Sequence, residues 1–383
     1  MNTRPSTEQS VDPQPARLRR LPVLGNAPEP TLPAIPSGQP IHDGLNRPIT
    51  YLRISLTDRC NYRCTYCMPE EGVELALRSQ VLSFEELETV VQALMRVGVR
   101  RVRLTGGEPT VRKDLLHLVE RLGRLGLDDL ALSTNGERLA ELAGPLRQAG
   151  LDRLNVSLDT LDAAKFRQVT RHGHLDRVLA GLEAVRSAGF KSTKLNTVAM
   201  RGFNDDEVGA LCRYAFERGF VPRFIELMPM AEGSLFYPGT FFPVAETRTI
   251  LRHEFGALLD EQELPAESRP SAQPGVGPAR YAVVSYQGAV HRVGLISAVS
   301  EPFCDTCNRV RLSATGELHA CLAYDDAIDL RSVLRAHTSQ SPDELLNVLA
   351  ATARTGLQRK RLGHEFTPSG CGGPRKYMVS IGG

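Results

Sequence analysis

From Tyr51 onward, short apolar stretches alternate with longer segments whose apolar residues recur at helical spacing. The short stretches predict strands at Tyr51–Thr57, Arg101–Thr105, Leu130–Thr134, Arg153–Leu158, Thr193–Ala199 and Arg223–Leu227, with amphipathic helices between them. Ser83, followed three residues later by Glu86, has the form of a capping box and marks one helix start. Repeated strand–helix units imply a parallel sheet, doubly wound or rolled into a barrel. Six units fall short of the eight in a closed barrel, so the pattern predicts an α/β fold built as an incomplete, open barrel.

The pattern changes at both ends. Residues 1–45 are rich in proline and polar side chains with no apolar period, which predicts a disordered arm. Arg17, Arg19 and Arg20 give it a likeness to a targeting peptide, against which stand Glu8, Asp12, Glu29 and the proline density. Pro265, Pro270, Pro274, Gly275, Gly277 and Pro278 mark a loop. Beyond it, Arg280–Ser285 and Ala289–Ile296 predict a strand pair about Gln287-Gly288, and Pro342–Leu357 predicts a helix. The expected organisation is an arm at 1–45, a partial barrel at 46–240 and a smaller C-terminal α+β domain at 241–383.

A length of 383 residues, 42% of them hydrophobic, suits about two globular domains with cores of their own. No apolar run of about 18 residues predicts a membrane helix, and no signal-peptide pattern opens the chain, so a soluble cytoplasmic protein is expected. A net charge of +2 gives no ground for a broad nucleic-acid-binding face. Eight cysteines in a reducing compartment, however, need a role in metal binding or redox chemistry.

The first cysteines form Cys60-Asn61-Tyr62-Arg63-Cys64-Thr65-Tyr66-Cys67, directly after the first strand. Three thiolates at this spacing wrap one 4Fe–4S cluster and leave its fourth iron open to a small molecule. The alternative is a zinc site with a remote fourth ligand. Gly106-Gly107-Glu108-Pro109 follows the second strand; alone it reads as an ordinary turn. Together the two motifs resemble the radical S-adenosylmethionine (SAM) superfamily. The resemblance implies that the open iron is chelated by the amino and carboxylate groups of SAM, that one-electron reduction cleaves SAM to a 5′-deoxyadenosyl radical, and that the glycines let the backbone approach SAM.

Parallel strands covered on both faces should be apolar throughout, yet Arg53 and Ser55, Arg103 and Thr105, and Lys194 and Asn196 interrupt three of them. Such cations either pair with carboxylates at strand ends or face a lumen holding a polyanion such as a nucleoside triphosphate. Only six lysines accompany forty arginines, which draws attention to Lys194. Ser133-Thr134-Asn135-Gly136, Ser157-Leu158-Asp159 and Glu226-Leu227-Met228 gather polar groups at the C-terminal ends of strands, the edge that carries active sites in such barrels.

The C-terminal region holds Cys304-x2-Cys307-Asn308-Arg309-Val310-Arg311 and then Cys321. It reads as a second three-cysteine cluster, or as zinc with Cys371 or His319 as fourth ligand. Cys212, within a helical segment, reads as a buried core thiol. This order of motifs, with Gly382-Gly383 at the end, resembles the GTP 3′,8-cyclase family of molybdenum cofactor biosynthesis from residue 46 onward. The fold so implied is an incomplete (β/α)6 TIM-like barrel with a smaller C-terminal domain. The resemblance implies that Cys60, Cys64 and Cys67 hold the SAM cluster, that Cys304, Cys307 and Cys321 hold a second 4Fe–4S cluster whose open iron binds guanine, and that Tyr66, Gly107, Ser157 and Met228 contact SAM. Arg53, Arg103, Thr134, Lys194, Arg309, Val310 and Arg311 match GTP-contacting positions, and Gly382 and Gly383 match a tail that reaches into the active site. The activity implied is a lyase-class radical cyclisation of GTP, supplied by an electron donor and followed by a MoaC-like enzyme that takes the product. A homodimer is a further expectation, with no nucleic-acid or membrane partner. Two rivals remain: another radical SAM enzyme with an auxiliary cluster, such as a peptide maturase, and a zinc-dependent nucleic-acid-binding protein.

Overall fold

The computed structural model describes residues 41–190, 192–265, 269–270 and 277–382. Six strands run parallel and in sequence order, each followed by one or two helices: β1 (Tyr51–Ser55), α1 (Phe84–Arg96), β2 (Arg101–Thr105), α2 (Leu115–Gly123), β3 (Asp129–Thr134), α3 (Leu139–Gln148), β4 (Arg153–Ser157), α4 (Ala163–Thr170), α5 (Leu175–Ser187), β5 (Lys194–Ala199), α6 (Val208–Glu217), β6 (Val221–Glu226) and α7 (Val244–Phe255). All six expected strands form, with ends within two residues of those predicted, and the Ser83–Glu86 capping box opens α1. The sheet stays open, as the count of six units implies.

The remaining strands continue the same sheet. They are β7 (Leu259–Asp260), β8 (Arg280–Tyr286), β9 (Ala289–Ile296), β10 (Arg309–Leu312), β11 (Glu317–His319) and β12 (Ile328–Asp329), and the order across the sheet is β12-β11-β10-β1-β2-β3-β4-β5-β6-β9-β8-β7. The expected hairpin of β8 and β9 turns through Gln287 and Gly288, both at positive φ, as a tight two-residue turn requires. Strand β9 lies parallel to β6 at one edge, and β10 lies parallel to β1 at the other. The sheet thus crosses residue 240, and Val293, Leu312 and Leu349 share one apolar core with Leu52, Leu104 and Leu154. The helix expected at Pro342–Leu357 forms over those residues, here α9 after α8 (Leu330–Ala336), and α10 (Met378–Ile381) ends the described chain.

The arm expected at residues 1–45 lies outside the described residues up to position 40. From Ile41 the chain is folded rather than disordered: Ile41 is buried and its amide bonds to the Val97 carbonyl. Cys212 is buried in the core, as expected.

Each strand has two different faces. Leu52 and Ile54 of β1 are fully buried in the core, while Tyr51 and Arg53 face the interior of the open barrel. Glu226, at the end of β6, fixes the junction with the C-terminal region. Its buried carboxylate accepts from the amides of Val244, Val299 and Ser300 at 2.8 Å each. Glu226→Ala would strand these amides in the interior, so a loss of about 3 kcal/mol is expected, read as a lower denaturant midpoint.

Candidate active site

One cavity of about 320 Å³ opens at the C-terminal ends of the barrel strands. Its wall contains both cysteine triplets, Cys60, Cys64 and Cys67 on the loop after β1 and Cys304, Cys307 and Cys321 around β10 and β11. Arg53, Arg103, Arg309, Arg311, Thr134, Tyr66, Gly107, Ser157 and Met228 also line it. The chemistry expected from two distant parts of the chain therefore meets in one space.

The arginines form a row. In the sheet register Arg53 of β1 stands opposite Arg103 of β2 on one side and Arg311 of β10 on the other. Partners on neighbouring strands share a face and lie about 5 Å apart, so three guanidinium groups point into the cavity side by side. Arg309, two residues before Arg311, adds a fourth on the same face. Burial, then Arg309, lowers the Arg311 pKa to about 9, and burial followed by Arg311 and Arg103 lowers that of Arg53. Such crowding of like charge in the interior calls for an anion.

Two expected contacts do not reach the wall. Lys194 lies one step deeper on β5 than Asn196; burial, then Arg223 and Arg153, lowers its pKa to about 6. Val310 turns its side chain into the core opposite Leu52. Arg223 of β6 lines the cavity instead, its Nη2 donating to Asn155 Oδ1 at 2.7 Å and Asn196 Oδ1 at 2.6 Å. It carried the same signal as Arg53, a cation within an apolar strand.

The first cysteine loop is held by the glycine motif. The Gly107 amide donates to the Thr57 carbonyl at 2.6 Å, and the Glu108 amide to the Arg59 carbonyl at 2.8 Å. Glu108 is itself buried and accepts from Thr110, from Thr134 Oγ1 at 2.7 Å and from the Asn135 amide at 2.7 Å. The loop, the motif and the end of β3 are thus one unit. Tyr66 Oη donates to Asp159 Oδ2 at 2.7 Å. Burial raises Asp159 to about 6, against the lowering effect of Tyr66 and the Val198 amide. Asp159 is a further wall residue that was visible in the sequence only as part of a polar strand end.

The thiols suit cluster ligation. None of the eight cysteines forms a disulfide, and the six wall cysteines are partly exposed to the cavity while Cys371 is exposed elsewhere and absent from the wall. Burial pushes the Cys60 thiol up to about 11 and Cys67 to about 12, so these thiolates need positive iron beside them to persist. At Cys307, burial raises the pKa but Arg309 and Lys360 outweigh it and bring the thiol to about 6. Among the described residues, no three His, Cys, Asp or Glu side chains are grouped to hold a single metal ion. A cubane makes a different demand, since its cysteines stand at separate corners, and the soft all-thiol donor sets match it.

The chain end reaches the same place. Arg311 Nη1 donates to the Gly382 carbonyl. Gly382 has φ of 76°, and a Cβ there would stand 2.8 Å from Thr105 Cγ2 and 3.3 Å from Ser55 Cβ, the last residues of β2 and β1. Only glycine suits both the backbone angle and the space. Gly383 lies outside the described residues.

The chain resembles known proteins over most of its length. A family model described as the radical SAM superfamily matches residues 54–215, and one described as Molybdenum Cofactor Synthesis C matches residues 221–366. The chain is 46% identical to the GTP 3′,8-cyclase of Pelotomaculum thermopropionicum over 77% of its own length and 88% of that relative. It is 46% identical to the GTP 3′,8-cyclase of Ectopseudomonas mendocina over 89% of its length and 98% of the relative. For the GTP 3′,8-cyclase of Heliobacterium modesticaldum the identity is 43%, with 89% and 99% covered.

Proposed function

The chain belongs to the GTP 3′,8-cyclases, a family of radical SAM enzymes, and from that premise we propose how its residues divide the reaction. It is an enzyme that uses an iron–sulfur cluster and SAM to cyclise GTP to (8S)-3′,8-cyclo-7,8-dihydro-GTP, the first step of molybdenum cofactor biosynthesis. The rival reading as a peptide maturase is not favoured.

The finer assignment rests on one observation, the single cavity walled by both cysteine triplets with a row of arginines between them. Cys60, Cys64 and Cys67 would hold the SAM cluster, and Cys304, Cys307 and Cys321 would hold a second 4Fe–4S cluster, which would supply an anchor for the guanine. When bound, the first cluster and SAM would supply the 5′-deoxyadenosyl radical that takes the 3′ hydrogen of GTP to become 5′-deoxyadenosine; C3′ then bonds to C8, and one further electron and a proton complete the dihydro product. The protein's own work is placement. Arg53, Arg103, Arg309 and Arg311 hold the triphosphate by charge-assisted hydrogen bonds, and Thr134 contacts the nucleotide beside them. Val310 fixes the register that turns both β10 arginines inward. Lys194, with Arg223 beside it, regains its proton as the anion enters. Tyr66, oriented by Asp159, acts with Gly107, Ser157 and Met228 to seat SAM. Gly382 covers the ends of β1 and β2 and excludes water, and with Gly383 it steadies the ribose.

The reaction makes the enzyme a lyase. It needs a one-electron donor, and its labile product is suited to direct uptake by a MoaC-like enzyme. Among the described residues no helix is long and apolar enough to cross a membrane, and a cytoplasmic setting and a homodimer complete the reading. The test is anaerobic reconstitution. About eight irons per chain are expected, with 5′-deoxyadenosine forming when GTP, and not another nucleoside triphosphate, is supplied with SAM and reductant. Zinc in place of iron, or no preference for GTP, would refute the assignment.

A further inference from the structure

The two cysteine triplets differ in what surrounds their sulfurs. In the first, the groups bonded to sulfur are uncharged: the Tyr62 amide lies 3.4 Å from Cys60 Sγ, the Val379 amide bonds to Cys67 and the Tyr66 side chain bonds to Cys64. In the second, two cations converge on one sulfur. Lys360 Nζ stands 3.4 Å from Cys307 Sγ, and Arg309 Nη2 stands 3.8 Å from it.

Lys360 is 4% exposed, and burying an ammonium group without a counter-charge is costly. Among the described residues no carboxylate pairs with it: its partners are the Cys307 sulfur and the Arg309 carbonyl. It also lies off the cavity wall, so GTP does not compete for its charge, whereas Arg309 faces the substrate space. Its loop is fixed in place, because Arg47, itself buried, donates to the carbonyls of Cys304 at 2.6 Å and Arg361 at 2.8 Å. A single guanidinium therefore ties the backbone beside Lys360 to the backbone of the second triplet.

We propose that Lys360 is a positioning residue for the second cluster, its ammonium charge at Cys307 raising the reduction potential of that cluster relative to one ligated by the same three cysteines alone. This inference rests on the assignment of Cys304, Cys307 and Cys321 as ligands. One-electron reduction adds negative charge to a cluster, and a fixed cation at van der Waals distance from a ligating sulfur favours the reduced form. A compact, buried ammonium acts as a point charge that the solvent cannot screen.

The experiment is a mediated redox titration of reconstituted full-length protein, following each cluster by electron paramagnetic resonance, with iron and sulfide counted on the same samples. In Lys360→Met the second cluster should shift at least tenfold toward its oxidised form at a fixed potential, about 59 mV for one electron, while the first cluster is unchanged. Lys360→Arg should return most of the shift. An unshifted second cluster in Lys360→Met with full iron overturns the proposal, as does a shift that Lys360→Arg fails to reverse. If Lys360→Met loses the second cluster, retention of iron by Lys360→Arg still supports a role for the charge, and loss in both variants overturns it. Uptake of only about four irons by the unaltered protein overturns the ligand assignment itself, and the two failures are thereby distinguished.

Discussion

Gly107→Ala is expected to abolish 5′-deoxyadenosine formation while leaving about half the iron in place, because the first cluster is lost and the second is not. The cost at this position is steric rather than conformational, since Gly107 is not among the glycines at positive φ. A Cβ added there would stand 2.6 Å from the carbonyl carbon of Arg59 and closer still to its oxygen. Arg59 immediately precedes Cys60, and its carbonyl accepts the Glu108 amide, so relief of the clash must break the contact that shapes the cysteine loop. Backbone cannot rotate away as a side chain can. A fall of at least about a hundredfold in SAM cleavage is expected, equivalent to roughly 2.7 kcal/mol. The second triplet stands on a different loop and at a different sheet position, so its spectroscopic signal should persist. Iron analysis with quantified 5′-deoxyadenosine checks this, and a variant with full iron and normal cleavage would show that the close approach is dispensable.

The Gly107 contact was legible as a motif, and its cause was not. Gly-Gly-Glu-Pro announces a backbone that must come close to something; only the fold shows that Gly107 itself approaches the cysteine loop. The barrel strands were legible because their outward faces keep strict alternation, as Leu52 and Ile54 do in β1. What local pattern cannot carry is pairing across long sequence separations. Arg309 and Arg311 have the two-residue spacing of a strand face, but nothing near them says that β10 will lie beside β1, and the row Arg311–Arg53–Arg103 exists only through that pairing. The same limit separates Lys194 from Asn196. They have the same parity along β5, yet depth in the barrel puts only Asn196 on the wall. Lys360 sits in the run Arg359-Lys360-Arg361, which by itself reads as a solvated basic face. The fold buries the middle residue against Cys307 and leaves Arg361 exposed.

Arg311→Met is expected to act on stability and on substrate use in opposite directions. In the GTP-free protein the guanidinium is buried, and burial together with Arg309 and Arg103 lowers its pKa to about 9, even though Cys321 and Cys307 pull the other way. For a base held below its unfolded value of 12.5, the native state binds protons less readily than the unfolded chain. The destabilisation is therefore fully present below about pH 9 and is relieved as the pH climbs from there toward 12.5. Removing the charge removes this destabilisation at neutral pH, offset in part by the lost bond to the Gly382 carbonyl. GTP-free Arg311→Met should accordingly melt about 1 °C above the unaltered protein, corresponding to about 1 kcal/mol in a chain of 383 residues. The triphosphate, in contrast, loses one of its charge-assisted partners, worth about 1.5–3 kcal/mol, so KM for GTP should rise about tenfold to a hundredfold. The first cluster should remain able to cleave SAM, because Cys60, Cys64 and Cys67 stand on the loop beyond β1 and not on β10. Thermal scans with and without GTP, set beside steady-state kinetics, separate the two effects. A GTP-free protein that melts lower with KM unchanged would mean that Arg311 serves the fold, whereas stabilisation paired with a raised KM means that the row holds its charges together, at a cost, for the anion it binds.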